Sequence, residues 1–108
     1  MLKIKEDVLF QKDYRISDGE PIYEYALSHS SEIDASAPIA VISVGNSYLE
    51  LNLAGALIYE SIENADPLQV MCERFVRLFG LSKEKAEISI TVFCQKLKDK
   101  GIVEEIYS

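Results

Sequence analysis

The segment Ser47–Ile62, SYLELNLAGALIYESI, changes periodicity partway along. Tyr48-Leu49-Glu50-Leu51 alternates with a period of two, and from Asn52 onward Leu53, Ala56, Leu57, Tyr59 and Ile62 recur at helical spacing. A period of two giving way to 3.6 means a strand that runs straight into a helix. Asn52 suits the N-cap, since its side-chain oxygen can accept from a free first-turn amide. Gly55 in the first turn costs about 1 kcal/mol against Ala, which is tolerable there if another backbone passes close by. The junction therefore sets the edge of a sheet against a helical unit.

Upstream, Pro38 opens the β-branched run Ile39–Val44, and Gly45-Asn46 separates it from Ser47–Leu51. Two strand-like runs joined by Gly-Asn predict a two-residue hairpin. Downstream, a helix is expected over Leu53–Glu63, then a second capped by Asp66 with Pro67 in its first position. Leu68, Val70, Met71, Phe75, Leu78 and Phe79 supply its apolar face and Gly80 ends it. Ser82 caps a third helix, with Lys85 where a capping box would place Glu. Its core stripe is Ala86, Ile90, Phe93, Cys94 and Leu97. Gly101 closes it, and Ile102-Val103 forms a short extended tail.

Toward the N-terminus, Val8-Leu9-Phe10 reads as a first strand and Asp18-Gly19-Glu20-Pro21 as a turn. Ile22–Leu27 fits a strand with Tyr23, Tyr25 and Leu27 on one face, or a short helix begun by Pro21. Ser28–Ala37 reads as loop. The expected fold is a single α+β domain over 1–108, of winged-helix type: an N-terminal three-stranded antiparallel sheet followed by a three-helix bundle. Within it, residues 1–38 form an N-terminal strand and an extended loop.

Hydrophobic residues at 48% and charged residues at 27% are those of an ordinary globule. No apolar run approaches the roughly 18–20 residues of a membrane span, and MLKIKEDVLF lacks a secretory signal's pattern. A cytoplasmic protein without a membrane partner is expected. The net charge of −7 opposes nucleic-acid binding, which relies on neutralising phosphates.

Cys72 and Cys94 read as buried reduced thiols. His29 is the sole histidine, so no metal-ligand cluster assembles. A Gly-rich phosphate loop, a nucleophile elbow and a converging Cys–His pair are all missing. Glu60 and Glu63 read as a solvated helix face, and Tyr23, Tyr25, Tyr48 and Tyr59 as core and edge packing. Neither catalysis nor a cofactor is expected.

Two features remain. Ile88 and Val92 lie about half a turn from the core stripe of the third helix, which leaves them exposed or covered by a second copy or a peptide. Ser47–Leu51 has no proline and Glu50 as its only charge, so it is an edge open to strand addition beside an apolar helix.

Leu51-Asn52-Leu53-Ala54-Gly55-Ala56-Leu57-Ile58-Tyr59-Glu60 resembles the LN-x-x-(G/A)-x-x-I-(W/Y)-E segment of PqqD-like proteins. Those are the peptide chaperones of pyrroloquinoline quinone biosynthesis and, more widely, recognition elements for precursors of ribosomally made, modified peptides. Leu68, Val70, Phe75 and Phe79-Gly80-Leu81 resemble the family's second helix and its exit. Ala86-Glu87, Ile90, Phe93, Leu97 and Lys100-Gly101-Ile102-Val103 resemble its third helix and ending, so the family-like core covers residues 39–104. Glu63-Asn64 stands where Asp-Gly is usual, Ser89 where an acidic residue is common, and the stretch between Lys12 and Pro38 exceeds the family norm.

The resemblance implies a non-catalytic domain that binds a precursor's leader peptide and delivers its core to a modifying enzyme, often a radical SAM enzyme. The peptide would lie along Ser47, Tyr48, Leu49, Glu50 and Leu51 and against Lys85, Ser89, Val92 and Lys96, whose lysines could meet acidic leader residues. Two alternatives stay open. One is a winged-helix DNA-binding domain reading with Lys83, Lys85, Lys96, Lys98 and Lys100, although Glu84, Glu87 and Asp99 interrupt them. The other is a dimerisation module covering Ile88 and Val92 in a homodimer.

Overall fold

In a computed structural model, which describes residues 1–106, the chain runs β1 (Leu2–Ile4), β2 (Val8–Lys12), α1 (Ile22–Ser28), β3 (Ala40–Val44), β4 (Ser47–Leu51), α2 (Leu53–Glu63), α3 (Leu68–Phe79), α4 (Lys83–Asp99) and β5 (Val103–Glu105). The fold is α+β, with the hairpin, the strand-to-helix junction and the three C-terminal helices where their patterns put them. The expected order of one sheet followed by one bundle needs correcting. A helix interrupts the strands, a strand follows the helices, and the strands form two sheets, β2-β3-β4 and β1-β5.

Val44 and Ser47 close the β3–β4 hairpin, and Gly45 supplies the positive φ of 57° that its turn needs. Register places Phe10, Ile42 and Leu49 in one row on the inner face of the sheet, and Leu9, Ser43 and Tyr48 in one row on the outer. Phe10 stacks on Tyr59 of α2, ring centroids 4.3 Å apart, which fastens sheet to helix.

α2 is the central helix. Leu53 and every residue from Gly55 to Ile62 are buried, so the single stripe read from periodicity is too narrow. A helix buried all round is packed on all sides. Glu60 is buried with it, which overturns its reading as part of a solvated face. Its carboxylate accepts from the amides of Ile22 (2.6 Å) and Tyr23 (3.2 Å) and so closes the N-terminus of α1. This settles Ile22–Leu27 as helix: a carboxylate satisfies its free first amides, and Ile22, Tyr25 and Ala26 are buried at helical spacing. The preceding turn is gathered by Lys12, whose Nζ donates to the carbonyls of Ser17, Asp18 and Glu20 at 3.0, 2.9 and 2.8 Å.

α3 begins one residue later than expected. Pro67 is its N-cap and Asp66 makes no cap bond. The Asp66 carboxylate instead accepts from Arg74 at 2.9 Å, and Arg74 also donates to Ser61 Oγ and lies over the Tyr23 ring. One guanidinium thus joins α1, α2 and α3. The Ser82 cap of α4 and the left-handed Gly80 and Gly101 are as expected. After Gly101 the chain pairs β5 with β1, Ile4 opposite Val103, and Glu105 meets both Lys98 (3.1 Å) and the N-terminal amine (3.3 Å). Those two cations hold the Glu105 carboxyl below its usual range, Lys98 foremost.

Glu60→Ala should cost about 2–3 kcal/mol in urea unfolding, since it strands two amides served by a charged acceptor. Glu60→Gln, which keeps an acceptor oxygen, should cost less. Burial, with Glu63 nearby, pushes the Tyr59 hydroxyl from 10.0 up to about 12. Its raised value stabilises the fold fully below pH 10, and this is lost as pH rises through 12. Tyrosinate absorbance should therefore show a late step that Tyr59→Phe removes, together with part of the alkaline destabilisation.

Candidate functional site

The three-stranded sheet has β2 and β4 as its outer edges. Beside β2, Val8 donates back to Lys5, and the hollow there is lined by Asp13, Asp18, Glu60 and Glu63 with Lys12. β4 differs in both backbone and surroundings. Asp13 donates to the Ile39 carbonyl, so odd-numbered residues of β3 face β2 and even-numbered ones face β4. The hairpin's closing pair, Val44 with Ser47, has the same parity. The amides and carbonyls of Tyr48 and Glu50 consequently point away from the sheet. Among the described residues no backbone bond from outside the sheet reaches them.

Facing this edge is the C-terminal half of α4, and Leu49 divides the intervening groove into two hollows. One, of about 260 Å³, lies toward Asn52 and is lined by Pro38, Leu49, Glu50, Leu51, Phe93 and Lys96, among others. The other, of about 180 Å³, lies toward the hairpin and is lined by Ile42, Val44, Tyr48, Leu49, Lys100 and Ile102, with Ser47. The hairpin-side hollow is walled by Ile42, Val44, Leu49 and Ile102, while the other is more polar, with Ser36, Glu50, Asn52 and Lys96 around Pro38, Leu49 and Phe93. Such a groove can accept an extended backbone on one side and alternate side chains on the other.

Gly55 sets how α2 and α4 meet below it. A Cβ there would come within 2.9 Å of Phe93 Cζ and 3.2 Å of Leu51 Cδ2. The close neighbour is a side chain, not the backbone that the glycine suggested. Asn52 accepts from the Gly55 amide at 3.0 Å, which anchors the helix start at the same point. Phe93 is half-buried, its ring pinned between Gly55 and the hollow.

All five strand residues expected at the site border the groove, but Leu51 is only 2% exposed and belongs to its floor. Of the helix residues, Lys96 lines a hollow. Lys85, Ser89 and Val92 are exposed nearer the N-terminal end of α4 and line neither. Phe93, Lys100 and Ile102 were assigned to core, helix end and tail, and the fold brings them to the groove. The spacing 93, 96, 100 is one helical stripe, and starting it from the partner of Gly55 would have found it.

Among the described residues no group of three or more His, Cys, Asp or Glu side chains could hold a metal ion. Both cysteines are free, and burial raises the pKa of each thiol, which makes them poor nucleophiles. No helix among the described residues is long and apolar enough to cross a membrane.

Gly55→Ala should displace the Phe93 ring into the larger hollow. Helix propensity then gains about 1 kcal/mol against a repacking cost of about 1–3 kcal/mol. Thermal stability should fall modestly while ligand uptake in the groove falls more, as calorimetry and peptide titration would show.

The family model described as "Coenzyme PQQ synthesis protein D (PqqD)" matches residues 39–103. No curated protein matches the chain in sequence. Among solved structures, "TbiB1 in Complex with the TbiA(beta) Leader Peptide" superposes with a TM-score of 0.65 at 15% identity, covering 98% of this chain and 99% of that one. The likeness extends through the N-terminal region that the family model leaves out, and it shows a shared fold.

Proposed function

This chain belongs to the PqqD family, and from that premise we propose that it binds the leader segment of a ribosomally made precursor peptide. The observation that carries the reading is the unpaired edge at Tyr48 and Glu50, set beside a two-hollowed groove floored by Leu49, Phe93 and Ile102. The leader adds to β4 as a further strand. Outward amides and carbonyls set its register, and side chains of alternate residues drop toward Leu49, Phe93 and Ile102. The fold's likeness to a protein solved in complex with a leader peptide agrees with this.

The role is non-catalytic. The domain holds the leader and presents the attached core to a modifying enzyme, which the family resemblance implies is of the radical SAM class. Lys85, Ser89 and Val92, beyond the hollows on α4, contact the leader if it continues past the Asn52 end of the strand. A second reading rests on Ile88 and Val92, 57% and 64% exposed on adjacent turns, which would be covered in a homodimer.

Tyr48→Pro removes an amide that faces outward and leaves the ladder to β3 intact. Titration with a synthetic leader peptide that the unmodified protein binds should show about tenfold weaker binding for Tyr48→Pro than for Tyr48→Thr, the worth of one lost hydrogen bond. In the unmodified protein, shifted amide resonances should cluster on Ser47–Leu51 and on the Phe93 to Lys100 end of α4. Shifts confined to α1, α3 or the β1-β5 sheet would sink the proposal.

A further inference from the structure

The charge around the groove runs against that of the protein. The chain has 18 Asp and Glu against 11 Lys and Arg. Three other hollows follow this balance: four carboxylates to one lysine beside β2, Asp66 and Glu105 to the N-terminal amine of Met1 beside α3, and Glu32 and Asp34 to Arg15 beside the loop before β3. The two hollows along β4 reverse it, with Lys96 and Lys100 against Glu50 alone. A third ammonium is close by, since Lys5 Nζ lies 3.9 Å from where a Cβ on Gly101 would sit.

A lysine in the last turn of a helix can serve the helix dipole. Lys96 and Lys98 both stand in that turn, and Lys98 also pairs with Glu105 at 3.1 Å. Lys96 and Lys100, one turn apart on the groove side, form no ion pair among the described residues. Two unpaired ammoniums, one at each hollow, make a local cationic rail on an acidic molecule. Such a rail attracts an anionic segment while the surrounding surface repels one elsewhere.

Resting on the leader-binding reading above, we propose that the segment taken up is acidic, with carboxylates placed to reach Lys96 and Lys100 while its apolar side chains fill the hollows between them. Lys96 and Lys100 are thus specificity residues. They select among extended peptides that the backbone edge would otherwise accept alike.

The test uses a displayed library of random linear peptides selected on the full chain, followed by solution titration of the recovered peptides. Asp and Glu should be enriched in the binders. Lys96→Gln with Lys100→Gln should weaken them about fivefold, the scale of two rim-exposed ion pairs. Lys96→Glu with Lys100→Glu should weaken them further and select Lys- and Arg-rich peptides instead, while Lys83→Glu, at the far end of α4, leaves affinity within twofold. Thermal melts of each variant confirm that the fold is kept.

Binders that Tyr48→Pro weakens about tenfold but that are neutral and indifferent to both lysine variants would overturn the acidic specificity and leave strand addition standing. Binders indifferent to Tyr48→Pro would overturn the leader-binding reading itself. Single-stranded DNA that displaces the peptides and loses affinity in the Lys96→Glu, Lys100→Glu variant would reassign the rail to phosphate.

Discussion

The close approach at Gly55 governs the layout of this protein. Because that position has no Cβ, Phe93 of α4 can lie against the first turn of α2 directly below the end of β4. The helix borders the hairpin through Phe93 and Lys96 without sealing the sheet. A helix packed along the whole strand would have buried Leu49 and covered the edge. The structure leaves Leu49 half-exposed and Tyr48 74% exposed.

A second constraint keeps the opposite side closed. Glu60 is a charged group inside the core, and burial without partners would be costly. It is stable there because α1 presents two free amides to it. Lys12 gathers the loop before that helix, and Arg74 ties Tyr23, Ser61 and Asp66 together on the far side. The first half of the long N-terminal insertion is thus held against α2 by polar contacts, while its last residues, Ser36 and Pro38, reach the hollow beside β4. The two sides of the central helix have separate tasks, one cemented by buried charge and the other left with unpaired backbone.

Elements with a local determinant are legible in the residues. The hairpin follows from Gly45-Asn46 between β-branched runs, the start of α2 from Asn52, and the ends of α3 and α4 from Gly80 and Gly101. Elements whose deciding partner is remote in sequence are not. α1 looked equally like a strand because its N-terminal acceptor lies 38 residues away. β1 was missed because its pairing partner is at the other end of the chain. Glu60 looked solvated because a carboxylate on a helix usually is, and Asp66 looked like a cap because Pro67 follows it.

The groove divides in the same way. Ser47–Leu51 as an edge was legible from alternation and from the absence of proline or clustered charge, whereas α4 as the helix beside it was implied by the family resemblance. Local periodicity thus determined the elements and their order from residue 39 onward, and the motif Leu51–Glu60 carried the resemblance to the family. Which turn of α4 faces the strand was decided by the packing of Phe93 on Gly55. The gathering of Lys96, Lys100 and Ile102 around Leu49 was decided by the path of the chain after Gly101. Spacing along a helix states which residues share a face. Only the contact that fixes the helix's rotation and crossing point states what that face looks at.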